Sequence, residues 1–178
     1  VADVGIYNVG YQIGSIIGIL EGTFAYAFTP FLFEALSDGT KASKDRIVKI
    51  TYLFISFLAF SVFLLSFFSA PLFSVFIDER FQAGRQYVVW VAIGYFFSGC
   101  YKMVTGYIYY SNKTIFLTYL AIVNIALNIF LNYVLISGLG ALGAAYASCL
   151  SYFVMFIITA IIGQRLVPMP WLSFNKLK

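Results

Sequence analysis

Histidine is absent from this chain of 178 residues, and only 10% of its residues carry charge. No imidazole is therefore on hand for general-base work or zinc ligation. The two cysteines, Cys100 and Cys149, lie inside apolar runs and read as small buried hydrophobes, not as a disulfide or metal pair. No glycine loop with a following lysine is spaced to cradle phosphate. Glycosyl transfer by paired carboxylates needs a second intramembrane acid beside Glu21, and the apolar runs supply none. No stretch alternates as the strands of a barrel must. These absences argue against an enzyme, and no catalytic residue, metal or cofactor is expected. A net charge of +4 is modest and points to membrane topology, not to nucleic acid. The chain opens at Val1 with no signal-peptide pattern, and it reads as a fragment starting in a loop between membrane helices.

What is present is apolar surface. The chain is 62% hydrophobic and 20% aromatic, with mean hydropathy +0.92. A soluble domain has about 45–50% apolar and about 25% charged residues. The fold class expected is an all-α integral membrane protein. A crossing needs about 20 apolar residues, and five runs qualify: 5–30, 47–69, 86–110, 115–136 and 141–163, with a tail over 164–178. The second is expected to stop at Ala70-Pro71, because proline breaks the helical ladder. Leu72–Ile77 is then too short to span and reads as an interfacial half-turn.

Lysine and arginine set the expected orientation. Lys41, Lys44, Arg46 and Lys49 fill the first connection, Lys113 the third, and Arg165, Lys176 and Lys178 the tail. The second connection holds Arg80 and Arg85, and the fourth holds no basic residue. The first and third loops and the C-terminus are accordingly expected in the cytoplasm, with Val1 outside.

Gly10, Gly14, Gly18 and Gly22 stand four apart in the first run and form one stripe. Such a stripe admits a second helix close to the backbone. Glu21 falls within it, so the carboxylate is expected to face other helices, not lipid. Lys102 lies inside the third run, roughly 16 Å from Lys113 by helical rise, and Glu21 roughly 20 Å from Glu34. The two runs point the same way, so the opposite charges reach similar depth. They either pair or line one polar cavity, and intramembrane charges are functional candidates. Tyr7, Tyr11, Gln12 and Tyr107 join them as candidates for a substrate path. On the last two runs, the short Ser137–Gly140 turn implies an antiparallel hairpin. Asn128 is then expected opposite Ser148, and Asn124 near Tyr152, as packing contacts.

Val4-Gly5-Ile6-Tyr7, Phe28-Thr29-Pro30-Phe31-Leu32-Phe33, Tyr107–Thr114, Asn124–Asn132 followed by Gly138–Ser148, and Pro168-Met169-Pro170-Trp171 occur in order along nearly the whole chain. Together they resemble the bacterial polysaccharide-biosynthesis and O-antigen flippases of the multidrug/oligosaccharidyl-lipid/polysaccharide exporter superfamily. The resemblance implies most of the C-terminal six-helix lobe of a protein with twelve or more helices. It implies location in the bacterial cytoplasmic membrane and the missing N-terminal helices and membrane lipids as partners. It further implies alternating-access transport of an undecaprenyl-pyrophosphate-linked oligosaccharide for surface polysaccharide assembly. Lys102 is then the cation for the pyrophosphate. Ala25-Tyr26 departs from the pattern, since members often carry an amide there. The alternatives are a cation-coupled multidrug exporter of the same superfamily, with Glu21 exchanging the cation, and a membrane subunit that only packs against partners.

Overall fold

The computed structural model describes residues 2–171; Val1, Lys176 and Lys178, on which part of the expected orientation rests, lie outside the described residues. Its elements are α1 (Ala2–Gly14), α2 (Ile16–Asp38), α3 (Lys41–Phe76), a 3-10 turn (Glu79–Gly84), α4 (Arg85–Tyr110), α5 (Ile115–Leu139) and α6 (Ala141–Leu166). No strand occurs among the described residues. Five helical stretches are long and apolar enough to cross a membrane, with α1 and α2 forming one stretch.

That first stretch is interrupted at Ser15, whose hydroxyl donates to the Gln12 carbonyl at 2.8 Å. A Gly-Ser pair is a common kink site. Pro30 sits inside α2 without ending it. It leaves the Tyr26 carbonyl without its helical donor. Thr29 donates to the neighbouring Ala25 carbonyl at 2.7 Å.

Pro71 likewise lies inside α3, which runs on to Phe76. The expected stop at Ala70-Pro71 and the interfacial half-turn are therefore corrected: 72–76 is the last part of α3. Serines surround the proline, with Ser69 donating to Ser66 at 2.7 Å and Ser74 to Pro71 at 3.0 Å. These bonds go to the Ser66 and Pro71 carbonyls, not to the Phe67 carbonyl that Pro71 deprives of its donor, and the apolar setting, which favours helical backbone, carries α3 past the proline. Gln82 then closes the end of α3, its amide donating to the Phe73 and Ile77 carbonyls at 2.8 and 2.9 Å. Asp78 caps the 3-10 turn and meets Arg80 at 2.9 Å. This contact holds the exposed Asp78 carboxyl below the usual carboxylate range.

The central helix is α4. It packs against α1, α2, α3 and α6, whereas α5 packs chiefly on α6. The main core joins Ile17, Phe28 and Leu32 of α2 with Phe54 and Leu58 of α3 and Met103 and Tyr107 of α4. Phe24 and Phe54 stack at 3.8 Å where α2 crosses α3.

Gly140 alone separates α5 from α6, at φ 58° and ψ −140°. That backbone conformation is essentially confined to glycine. α5 extends three residues beyond 136, so the hairpin register moves by nearly a turn. Asn128 consequently donates to Ser151 at 3.2 Å, not to Ser148 as expected. Asn132 donates back to the Asn128 carbonyl at 2.8 Å.

Candidate substrate path

Tyr95, Ser98 and Lys102 stand three and four residues apart on α4 and share one face. Gly14, Gly18 and Glu21 run along the facing side of the first stretch. A Cβ on Gly10 would overlap the Gly84 carbonyl. A Cβ on Gly14 would lie 2.7 Å from Val91 Cβ, and one on Gly18 2.6 Å from the Tyr95 ring. Three of the four stripe glycines thus admit α4 or the turn before it. Gly22 does not, because nothing lies within 4 Å of a Cβ placed there. At 100° per residue the stripe has swung about 120° between Gly10 and Gly22, away from α4.

Glu21 lies where α2 meets α4, with its side chain 2% exposed. Room for it comes from Gly99, where a Cβ would stand 3.1 Å from Glu21 Cβ. Two donors converge on one carboxylate oxygen. Lys102 Nζ reaches Oε1 at 2.9 Å and Ser98 Oγ reaches it at 3.1 Å. The other oxygen, Oε2, is buried and has no hydrogen-bond partner among the described residues. Lys102 is placed differently, since its side chain remains 41% exposed. The pair is therefore one-sided, with a fixed, enclosed anion and a cation that opens outward.

Above it lies a cleft of about 80 Å³ between α1, α4 and α6, lined by Tyr7, Tyr11, Gly94, Tyr95, Ser148 and Tyr152 among others. The Tyr11 and Tyr95 hydroxyls share a hydrogen bond of 2.7 Å. Tyr7 stands edge-on to Tyr87 at 5.2 Å. Phenol rings and hydroxyls together offer apolar faces, hydrogen bonds and an attraction for cations.

Of the residues named from sequence, Glu21 and Lys102 meet, and Tyr7 and Tyr11 line the cleft with Ser148. Gln12 is exposed and outside the cleft lining. Tyr107 is elsewhere, 2% exposed, with its ring 6.1 Å from Trp171 and its hydroxyl beside Thr51. Asn124 turns a buried carbonyl oxygen inward without a hydrogen-bond partner among the described residues. Ser98, Tyr95 and Gly99 carry no expectation from the sequence, and Tyr152, expected only as a packing neighbour of Asn124, lines the cleft. The first two were within reach of the 3–4 spacing back from Lys102.

In comparisons with known proteins, the MatE family profile matches residues 1–134. The chain is 31% identical over 185 residues to a "Probable multidrug resistance protein NorM" of Bacillus cereus. That match covers 95% of this chain and 40% of the relative, so the chain spans well under half of the relative's length. No solved structure matches the chain significantly. With three quarters of its length under the family profile and five apolar helices long enough to span a bilayer, the chain belongs to the MatE family.

Proposed function

We propose that the chain is part of a membrane exporter that moves organic compounds, not an enzyme, and that Glu21 and Lys102 stand on its substrate path. The carrying observation is the enclosed Glu21 carboxylate, with one oxygen held by Lys102 and Ser98 and the other without a partner among the described residues. A buried carboxylate with spare acceptor capacity suits a ligand that donates hydrogen bonds or brings positive charge. The aromatic cleft suits the same class of ligand. The likeness to a protein named for multidrug resistance supports this reading over a sugar carrier.

The second reading is a flippase for an undecaprenyl-pyrophosphate-linked oligosaccharide. The outward exposure of the Lys102 ammonium favours it, since a phosphate can reach that cation and compete with Glu21. In both readings the protein alternates access across the bacterial cytoplasmic membrane, and the basic first turns of α3, with Lys41, Lys44, Arg46 and Lys49, face the cytoplasm. The N-terminal helices of the full-length protein complete the path.

The test uses the full-length protein in two hosts. One lacks its major drug exporters, and the other lacks its own flippase. Raised resistance to cationic dyes in the first, lost on Glu21→Ala, supports the exporter. Restored surface glycan in the second, lost on Lys102→Ala, supports the flippase and overturns the first reading.

A further inference from the structure

Residues 167–171 follow α6, beyond the stretch matched by the family profile, and turn back over the end of the bundle. Val167 and Met169 are buried there. Gln164 grips the turn from α6. Its amide donates to the Met169 carbonyl at 3.2 Å, and its oxygen accepts from the Met169 amide at 3.1 Å and the Trp171 indole at 2.8 Å. On the other side, α3 holds the same residues. The Tyr52 hydroxyl donates to the Trp171 carbonyl at 3.0 Å, and Lys44 Nζ to the Pro168 carbonyl at 3.3 Å. The indole stands edge-on to both Tyr52 and Tyr107, with ring centres 6.1 Å apart in each case.

We propose that 167–171 is a latch tying α3 to α6 across α4, closing this end of the bundle when docked and letting it open when released. Three features suit it to release. Val167, at φ −132° and ψ 91°, is an extended hinge of the kind that precedes proline. Pro168 and Pro170 stiffen the residues beyond the hinge, so the strap moves as a short lever. Its polar ties are individual hydrogen bonds from Gln164, Tyr52 and Lys44, several to backbone carbonyls, that can break one at a time, while Val167 and Met169 join the edge of the main apolar core. A groove of about 400 Å³ beside it, lined by Gly39, Lys41, Lys44 and the two prolines, leaves room for the movement.

The functional arm of the test rests on the transport reading above; the labelling arm does not. In the full-length protein with Cys100 and Cys149 replaced by alanine, Lys44→Cys and Pro168→Cys are bridged by a reversible bifunctional thiosulfonate. Transport should be lost on bridging and return on reduction. Full transport by the bridged protein overturns the latch. In the same background, a maleimide should label Met169→Cys slowly, because the site is buried. Removing both ring contacts with Trp171→Ala should speed labelling about tenfold. An unchanged labelling rate also overturns the latch. If no form transports, the transport reading falls and labelling alone decides the latch.

Discussion

The Lys102 ammonium meets Glu21 at 2.9 Å across the α2–α4 contact, with the lysine side chain 41% exposed and the glutamate 2%. The two partners are therefore not interchangeable under mutation. Lys102→Ala leaves an enclosed carboxylate with Ser98 as its remaining donor. Losing a partner in a fully buried pair costs about 3–5 kcal/mol. The lysine's exposure lowers this to about 1–3 kcal/mol. Glu21→Gln keeps the shape and an acceptor for Ser98 and frees a cation that already reaches outward, so its cost should stay below about 1 kcal/mol. Thermal melting of the purified full-length variants checks the order. Lys102→Ala melting at or above Glu21→Gln contradicts it.

The glycines give a graded series. Gly18→Ala places a methyl against the Tyr95 ring, which must shift and strain its 2.7 Å bond to Tyr11. Gly14→Ala meets Val91 Cβ, which has no flexible end to yield. Gly22→Ala meets nothing within 4 Å. Overpacking of this kind costs about 1–3 kcal/mol. Folded yield should fall most for Gly14→Ala, less for Gly18→Ala, and not for Gly22→Ala. Equal loss at all three would show that the stripe packs along its whole length.

The hairpin gives a third prediction. Gly140→Ala forces a side chain into φ 58°, ψ −140°, at a cost of about 1–3 kcal/mol. Asn128→Ala removes a single 3.2 Å bond to Ser151, of a kind worth about 0.6 kcal/mol between membrane helices. Melting temperatures should therefore fall clearly for Gly140→Ala and little for Asn128→Ala. The reverse order would mean that the asparagine ladder, not the turn, holds α5 to α6.

Hydropathy alone marks the five helical stretches, because run length and bilayer thickness are tied by a fixed rise. The same rise, counted along the residue numbers, is enough to bring Glu21 and Lys102 to one depth. What it does not reveal depends on contacts between distant residues. Pro71 reads as a stop in a soluble helix, but in an apolar setting α3 continues past it to Phe76. Tyr107 resembles a path residue until Trp171, 64 positions later, is seen against it. The α5–α6 register rests on which single residue forms the turn, and propensity does not resolve that.

Gly99 ties the charge to the packing. A Cβ there would lie 2.6 Å from Leu58 Cδ1 and 3.1 Å from Glu21 Cβ, so α2, α3 and α4 all meet at this point. Leu58 is fully buried and cannot swing outward freely. Gly99→Ala should push Glu21 away from Ser98 and Lys102 as well as crowd Leu58. Added to Gly99→Ala, Leu58→Ala removes the crowding but leaves the glutamate displaced; made alone, it opens a cavity at a cost of about 2–5 kcal/mol. The double variant should melt higher than the two separate losses predict, because the alanine at 99 partly fills the space vacated by Leu58. Transport normalised to folded protein separates the effects. It should stay low in the double variant, since Glu21 remains out of place. Recovered transport in the double variant would mean that Gly99 serves packing alone and that the position of Glu21 does not matter.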